Sequence, residues 1–204
     1  PAAEVHDTSA MSAQYPLFAK LQPIVDQQGQ LGAGPVVGHA LSFDTATVNR
    51  YLNLPQVKAL LPRDVKLLWG IKASDPGETI FDLYAIKANT RDGKAPLDGG
   101  VVTEAREEYS QHGASAEVSM VMNAAGARSW ARLTADNIGR SVAIVLDGYV
   151  YSAPRVNQEI EGGRSSITGN FTIQEAKDLA NVLKSGKLPA PARIIQDTVV
   201  APSL

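Results

Sequence analysis

The stretch from residue 116 to residue 185 most constrains what this chain can fold into, because its apolar period switches repeatedly between two and 3.6. Ala116–Met122 alternates as a strand does. Asn123 is placed to cap a helix whose buried face is Ala127, Trp130, Ala131 and Thr134. Gly139 suits the left-handed residue after that helix. Ser141–Leu146 is apolar on both faces, which predicts a central strand. Asp147-Gly148 then signals a two-residue type I′ hairpin turn, where both residues need positive φ. Tyr149–Ala153 returns antiparallel, and Pro154 ends the ladder because it has no N–H. Gly162-Gly163 and Gly169 bracket a short strand, and Thr172-Ile-Gln-Glu175 is a capping box. Ile173, Ala176, Leu179, Ala180 and Leu183 form one apolar stripe, which Gly186 closes. Strand, helix, hairpin, strand and helix suffice for a small core of their own, so the fold class is α+β with antiparallel or mixed sheets.

The first half is less regular. Residues 1–9 read as a frayed start. Leu17, Leu21, Ile24 and Val25 recur at helical spacing over Pro16–Gln28, with Pro23 predicting a kink or two short helices. Residues 29–35 are a glycine-rich loop. Asp44 is placed to cap a helix over Thr45–Asn53, and Pro55 to start another that stops before Pro62. Val65, Leu67, Trp69 and Ile71 alternate with Lys66, Leu68, Gly70 and Lys72, so this is a strand. Asp75-Pro-Gly77 turns it into a second strand over Thr79–Ala88, making a hairpin. Arg91-Asp-Gly93 turns the chain again, and Val101–Glu107 is a further strand or a short helix.

Composition bounds the chemistry. The 204 residues are 44% hydrophobic and 20% charged, which predicts a folded globule. Nineteen basic against twenty-one acidic side chains leave a net charge of -2, which argues against a nucleic-acid partner. There is no cysteine, which removes disulfides, thiolate metal sites and thiol nucleophiles. No apolar run reaches the ~18 residues of a membrane span, the longest being Val142–Leu146. With no opening Met and no visible signal peptide, the chain reads as a fragment of a longer protein.

His6, His39 and His112 are scattered and read as surface or loop residues, with no metal ligand set. Gly32-Ala-Gly34-Pro-Val-Val-Gly38 fails as a phosphate loop on spacing and on Pro35. No nucleophile elbow or Walker lysine occurs. Asn170-Phe-Thr172 matches a glycosylation sequon by chance, since Thr172 serves as a cap. Trp69 and Trp130 read as core. The expectations are therefore no enzyme, no cofactor and no metal.

One stretch carries more information. Asn137-Ile-Gly-Arg-Ser-Val-Ala-Ile-Val-Leu-Asp-Gly148 runs into Tyr149-Val-Tyr-Ser-Ala-Pro154, then Ile160-Glu-Gly-Gly163 and Ile167-Thr-Gly-Asn-Phe171. It ends in Leu179-Ala-Asn-Val-Leu-Lys-Ser-Gly-Lys-Leu-Pro-Ala-Pro191. These residues resemble the first large periplasmic domain of the SecD family of protein-export membrane proteins, especially the fused SecDF form of Bacteroidetes type. Asp44–Leu61, Pro62–Trp69 and Pro96–Val102 resemble the same branch. The family's first periplasmic strand is missing, so an incomplete N-terminal part is expected. Ala201 stands where many relatives have Gly.

The resemblance implies a base near the membrane with an inserted head. The base maps to 1–112, with its return strand in 192–204 before a missing membrane helix, and the head maps to 113–191. It implies a Sec translocase accessory subunit on the periplasmic side of the bacterial inner membrane, multi-pass in full length. Its partners would be unfolded preprotein, the Sec channel and other Sec accessory subunits. Head–base motion, driven by the proton-motive force through membrane segments outside this chain, would aid export. The alternative is a passive holdase or docking surface for other export factors. Gly113, Gly186, Pro189 and Pro191 are the expected hinge. Tyr149 and Tyr151 are the candidates for preprotein contact, with sheet packing as their other reading.

Overall fold

A computed structural model describes residues 15–25, 29–30, 32, 34–88, 95–109 and 116–185. The expected hinge residues Gly113, Gly186, Pro189 and Pro191, the turn at 91–93 and the return strand after 192 lie outside them. So do His6 and His112.

Six strands make the first sheet: β1 (Gln22–Pro23), β2 (Val36–Leu41), β3 (Val65–Ala73), β4 (Ile80–Lys87), β7 (Ile144–Leu146) and β8 (Tyr149–Ser152). Their spatial order is β1-β2-β4-β3-β8-β7. The β3–β4 hairpin forms as its alternation predicts, and Asp75 organises its turn. One carboxylate oxygen accepts from the amides of Thr79 and Ile80 at 2.8 and 2.6 Å. The Ile80 amide is the main reason this carboxyl sits below its ordinary pKa.

Helical spacing over 16–28 proves misleading. One turn forms, with the Leu21 amide donating to Leu17 at 2.8 Å, and Pro23 stops it. The chain then extends as β1, an edge strand where a proline is tolerated. Gly38 permits that pairing, because a Cβ there would lie 2.8 Å from the Gln22 carbonyl oxygen. His39 lies not in a loop but on β2, its Nδ1 2.7 Å from Asp82 on β4.

Helices α1 (Thr45–Leu52) and α2 (Pro55–Leu60) follow the expected spans. Asp44, however, is no cap. It closes a 3-10 turn at φ -92°, makes no side-chain cap bond and pairs with Lys20 Nζ at 3.0 Å. Leu21, Ala40, Val48, Trp69 and Leu83 form the core of this part. The Trp69 indole N–H donates to Asn49 Oδ1 at 2.9 Å, so a buried donor is satisfied.

The second sheet has the order β5 (Val102–Tyr109), β6 (Ala116–Met122), β9 (Arg164–Phe171). Helices α3 (Ala124–Asp136) and α4 (Ile173–Ser185) accompany it. Alternation on β6 buries Ala116, Val118, Met120 and Met122 against Ile167, Phe171, Leu179 and Leu183. Asn123 caps α3 as expected, its Oδ1 accepting from the Gly126 amide at 2.8 Å. The capping box forms in both directions: Thr172 N–H to Glu175 at 2.8 Å, and Glu175 N–H to Thr172 Oγ1 at 3.3 Å. Thr134 is fully buried and ties the loop before β9 to α3, accepting from the Ile160 amide at 2.9 Å.

Asp147 and Gly148 have φ of 48° and 83°, the signature of the expected hairpin turn. Gly139, after α3, has φ 78°. The incoming strand β7 is not central, though: it is short and sits at the edge of the first sheet. Its apolar residues Ile144 and Leu146 are needed because the hairpin also packs on the second core. The division expected at 112/113 falls outside the described residues. Strand β5, N-terminal of it, pairs with β6.

Candidate functional site

The return strand of the hairpin completes the first sheet, while the hairpin residues Ile144, Leu146 and Tyr151 pack on the core of the second. Strand β8 joins β3 in parallel through the pair Gly70–Val150. Val150 is 2% exposed, so this is a sealed strand contact. Parallel pairing needs partners distant in sequence, and here they are eighty residues apart.

One residue beyond Ile71, Lys72 reaches from β3 to the second part. Its ammonium lies 2.7 Å from Glu175 Oε1 and 5.0 Å from the centre of the Phe171 ring. Glu175 thus serves both the cap of α4 and the link to β3. Burial alone would push its carboxyl up. The Lys72 ammonium, with the Thr172 amide and hydroxyl, outweighs that and holds it below the usual glutamate range.

Alternation along β8 places Tyr149 and Tyr151 on one face, opposite Val150. Tyr149 is 49% exposed. Tyr151 packs against the second core. Burial first, then the Asp178 and Glu175 carboxylates of α4, push its phenol above the ordinary value. The two tyrosines therefore differ: one offers an open ring, the other serves sheet packing. Ile71 and Ile173 are also open, at 39% and 42% exposure. Lys72 and Phe171 escape sequence reasoning because nothing local marks a strand lysine as a bridge. Only Glu175 has a signal, its place in the capping box.

The gathered groups are a cation, a carboxylate, a phenol and the open side chains of Ile71 and Ile173, with no group of three or more His, Asp or Glu residues that would suit a metal among the described residues. Such groups hold two units together and offer a surface. The class of protein this defines is an α+β module with two sheets and two buried cores, bridged among the described residues by the β3–β8 pairing and by Lys72.

Comparison with known proteins places that module. The family model for the SecDF P1 head subdomain matches residues 84–190. The protein translocase subunit SecD of Rhodothermus marinus is 44% identical over 192 residues, covering 93% of this chain and 29% of that protein. The same subunit from Magnetococcus marinus is 33% identical, covering 83% of this chain and 31% of its own length. A solved structure of SecDF, described as a membrane component that enhances protein export, is 27% identical with a TM-score of 0.44, covering 93% of this chain and 74% of that one. The chain belongs to the SecD/SecDF family. It spans under a third of the curated relatives just given, and among its described residues no helix is long and apolar enough to cross a membrane.

Proposed function

We propose that this chain is a periplasmic, non-catalytic part of a membrane-embedded Sec translocase subunit, and that it receives unfolded preprotein and aids its export. The single observation that carries the reading is the match of residues 84–190 to the SecDF P1 head subdomain. Head and base move against each other as the proton-motive force acts on membrane segments outside this chain. The Sec channel and its accessory subunits are the partners.

Two features of the molecule support a moving head. Residues 15–88 and 95–185 build separate buried cores, and among the described residues a short parallel pairing and a partly exposed ion pair link them. Exposed ion pairs contribute only about 0–1 kcal/mol, so the Lys72–Glu175 pair adds little to the strand contact that a moving head has to part.

The test is a cysteine pair at Ile71 and Tyr151, next to the Gly70–Val150 pair, where neighbouring strands run about 4.8 Å apart. The chain has no cysteine of its own. Oxidation in the full-length protein is expected to leave the fold intact and abolish the stimulation of export, with recovery on reduction. Normal export by the locked form would remove the moving head and leave a passive holdase or docking surface.

A further inference from the structure

We propose that the outer edge of β9 is a strand-addition site for an extended polypeptide, an inference that rests on the client-receiving role proposed above. Strand β9 is eight residues long and pairs with β6 on one side, and no described strand pairs with its other side. The Met122 amide donates to the Gly163 carbonyl at 2.8 Å. Because an antiparallel ladder alternates, the backbone N–H and C=O of Arg164 and Ser166 then point away from β6. The two residues lie about 7 Å apart along the strand, and so present four backbone groups at strand spacing.

Open edges are a hazard that proteins blunt with charge, proline or a covering helix. The opposite edge of the same sheet is blunted twice. Strand β5 carries Glu104, Arg106, Glu107 and Glu108, and α4 packs along it. After Arg164, β9 runs Ser-Ser-Ile-Thr-Gly-Asn-Phe, with no charge and no proline. One edge is guarded, and the other is left open among the described residues.

What fits such an edge is set by its chemistry. A row of amides and carbonyls at strand spacing is matched only by another extended backbone. Side chains take little part: Ile167 is turned into the core, and the Ser166 hydroxyl is held by Glu117 at 2.7 Å. A site that reads backbone and ignores side chains suits an occupant whose sequence varies. An unfolded chain in transit is that occupant.

The experiment uses the 204-residue chain and, as probe, a reduced and carboxymethylated polypeptide that cannot fold, with its native form as control. Residue-resolved amide exchange is expected to slow at least tenfold at Arg164 and Ser166 with the unfolded probe and not with the native one. Ser166→Pro removes one outward N–H that β6 does not use, and edge strands tolerate proline. It is expected to weaken probe binding at least tenfold, while Ser166→Ala stays within twofold. Should Ser166→Pro fail to fold, exchange on the parent chain decides alone. Saturable binding without protection at Arg164 and Ser166 overturns the edge and leaves the client-receiving role standing. Absence of any binding overturns both. Protection that rises with protein concentration and no probe would give the edge to a second copy and overturn the proposal.

Discussion

Gly126→Ala separates local preference from packing, and the two act in opposite directions. Gly126 is the third residue of α3, and alanine is favoured there by up to about 1 kcal/mol. Its added Cβ, however, would lie 2.6 Å from Val101 Cβ and 2.8 Å from Val101 Cγ2, with Met122 Cβ at 3.2 Å. Carbon atoms in contact sit at about 3.5–4.0 Å, so something must move by nearly 1 Å. Val101 is β-branched and stiff about χ1, so the backbone has to give. Overpacking of this kind costs about 1–3 kcal/mol. The net expectation is a loss of about 1–2 kcal/mol, or about 2–8 °C in Tm for a chain of this size. Thermal and urea unfolding of Gly126→Ala, Val101→Gly and the double variant give the coupling, with the backbone cost of the new glycine cancelling in the cycle. A coupling of about 1–2 kcal/mol in favour of the double variant is expected. A Gly126→Ala protein that is more stable than the parent, with no coupling to Val101, would refute the close approach of α3 to the turn before β5.

Two further predictions concern the link between the parts. Thr172→Ala removes the cap of α4 and is expected to lower stability by about 0.5–2 kcal/mol in urea unfolding, with Thr172→Ser close to the parent. Glu175 has its folded pKa held down, so its contribution is present above the ordinary glutamate value and is lost as pH falls through the folded one. Lys72→Met is expected to cost at most about 1 kcal/mol at neutral pH, since both side chains are over a third exposed. It should also flatten the loss of stability with acid below about pH 4.3; equal slopes in parent and variant would refute the pairing.

Local chemistry was legible and long-range chemistry was not. Asp147-Gly148, the Asn123 cap and the Thr172–Glu175 box each depend on residues within three positions, and each forms as read. The β3–β4 hairpin is equally local. Errors arise where a distant group decides, as at Asp44, which pairs with Lys20 and does not cap α1. Leu17, Leu21 and Ile24 carry a helical period, yet pairing with β2 draws the chain out after Leu21. Strand β2 itself hides behind glycines that look like a loop. Ser141–Leu146 is apolar on both sides not because it is central but because the hairpin touches a second core while it edges the first sheet. Of the candidate site, Tyr149 and Tyr151 could be placed on a strand from sequence. That β8 would join β3, and that Lys72 would reach Glu175, depends on contacts 80 and 103 positions apart. The family resemblance covers nearly the whole chain and is strongest over residues 116–191, where motifs are densest, and the family match over 84–190 falls on the same region.

The central claim, that this module receives a chain in transit, is tested most directly by photo-crosslinking in the full-length protein. A photoreactive residue replaces Ser166 on the open edge of β9, or Tyr149 on the open face of β8, while a preprotein is stalled during export. Adducts with the stalled chain are expected from these positions, strongest from 166 and gone once the chain is released. No adduct from either position, while the same stalled chain crosslinks to the channel, would contradict it.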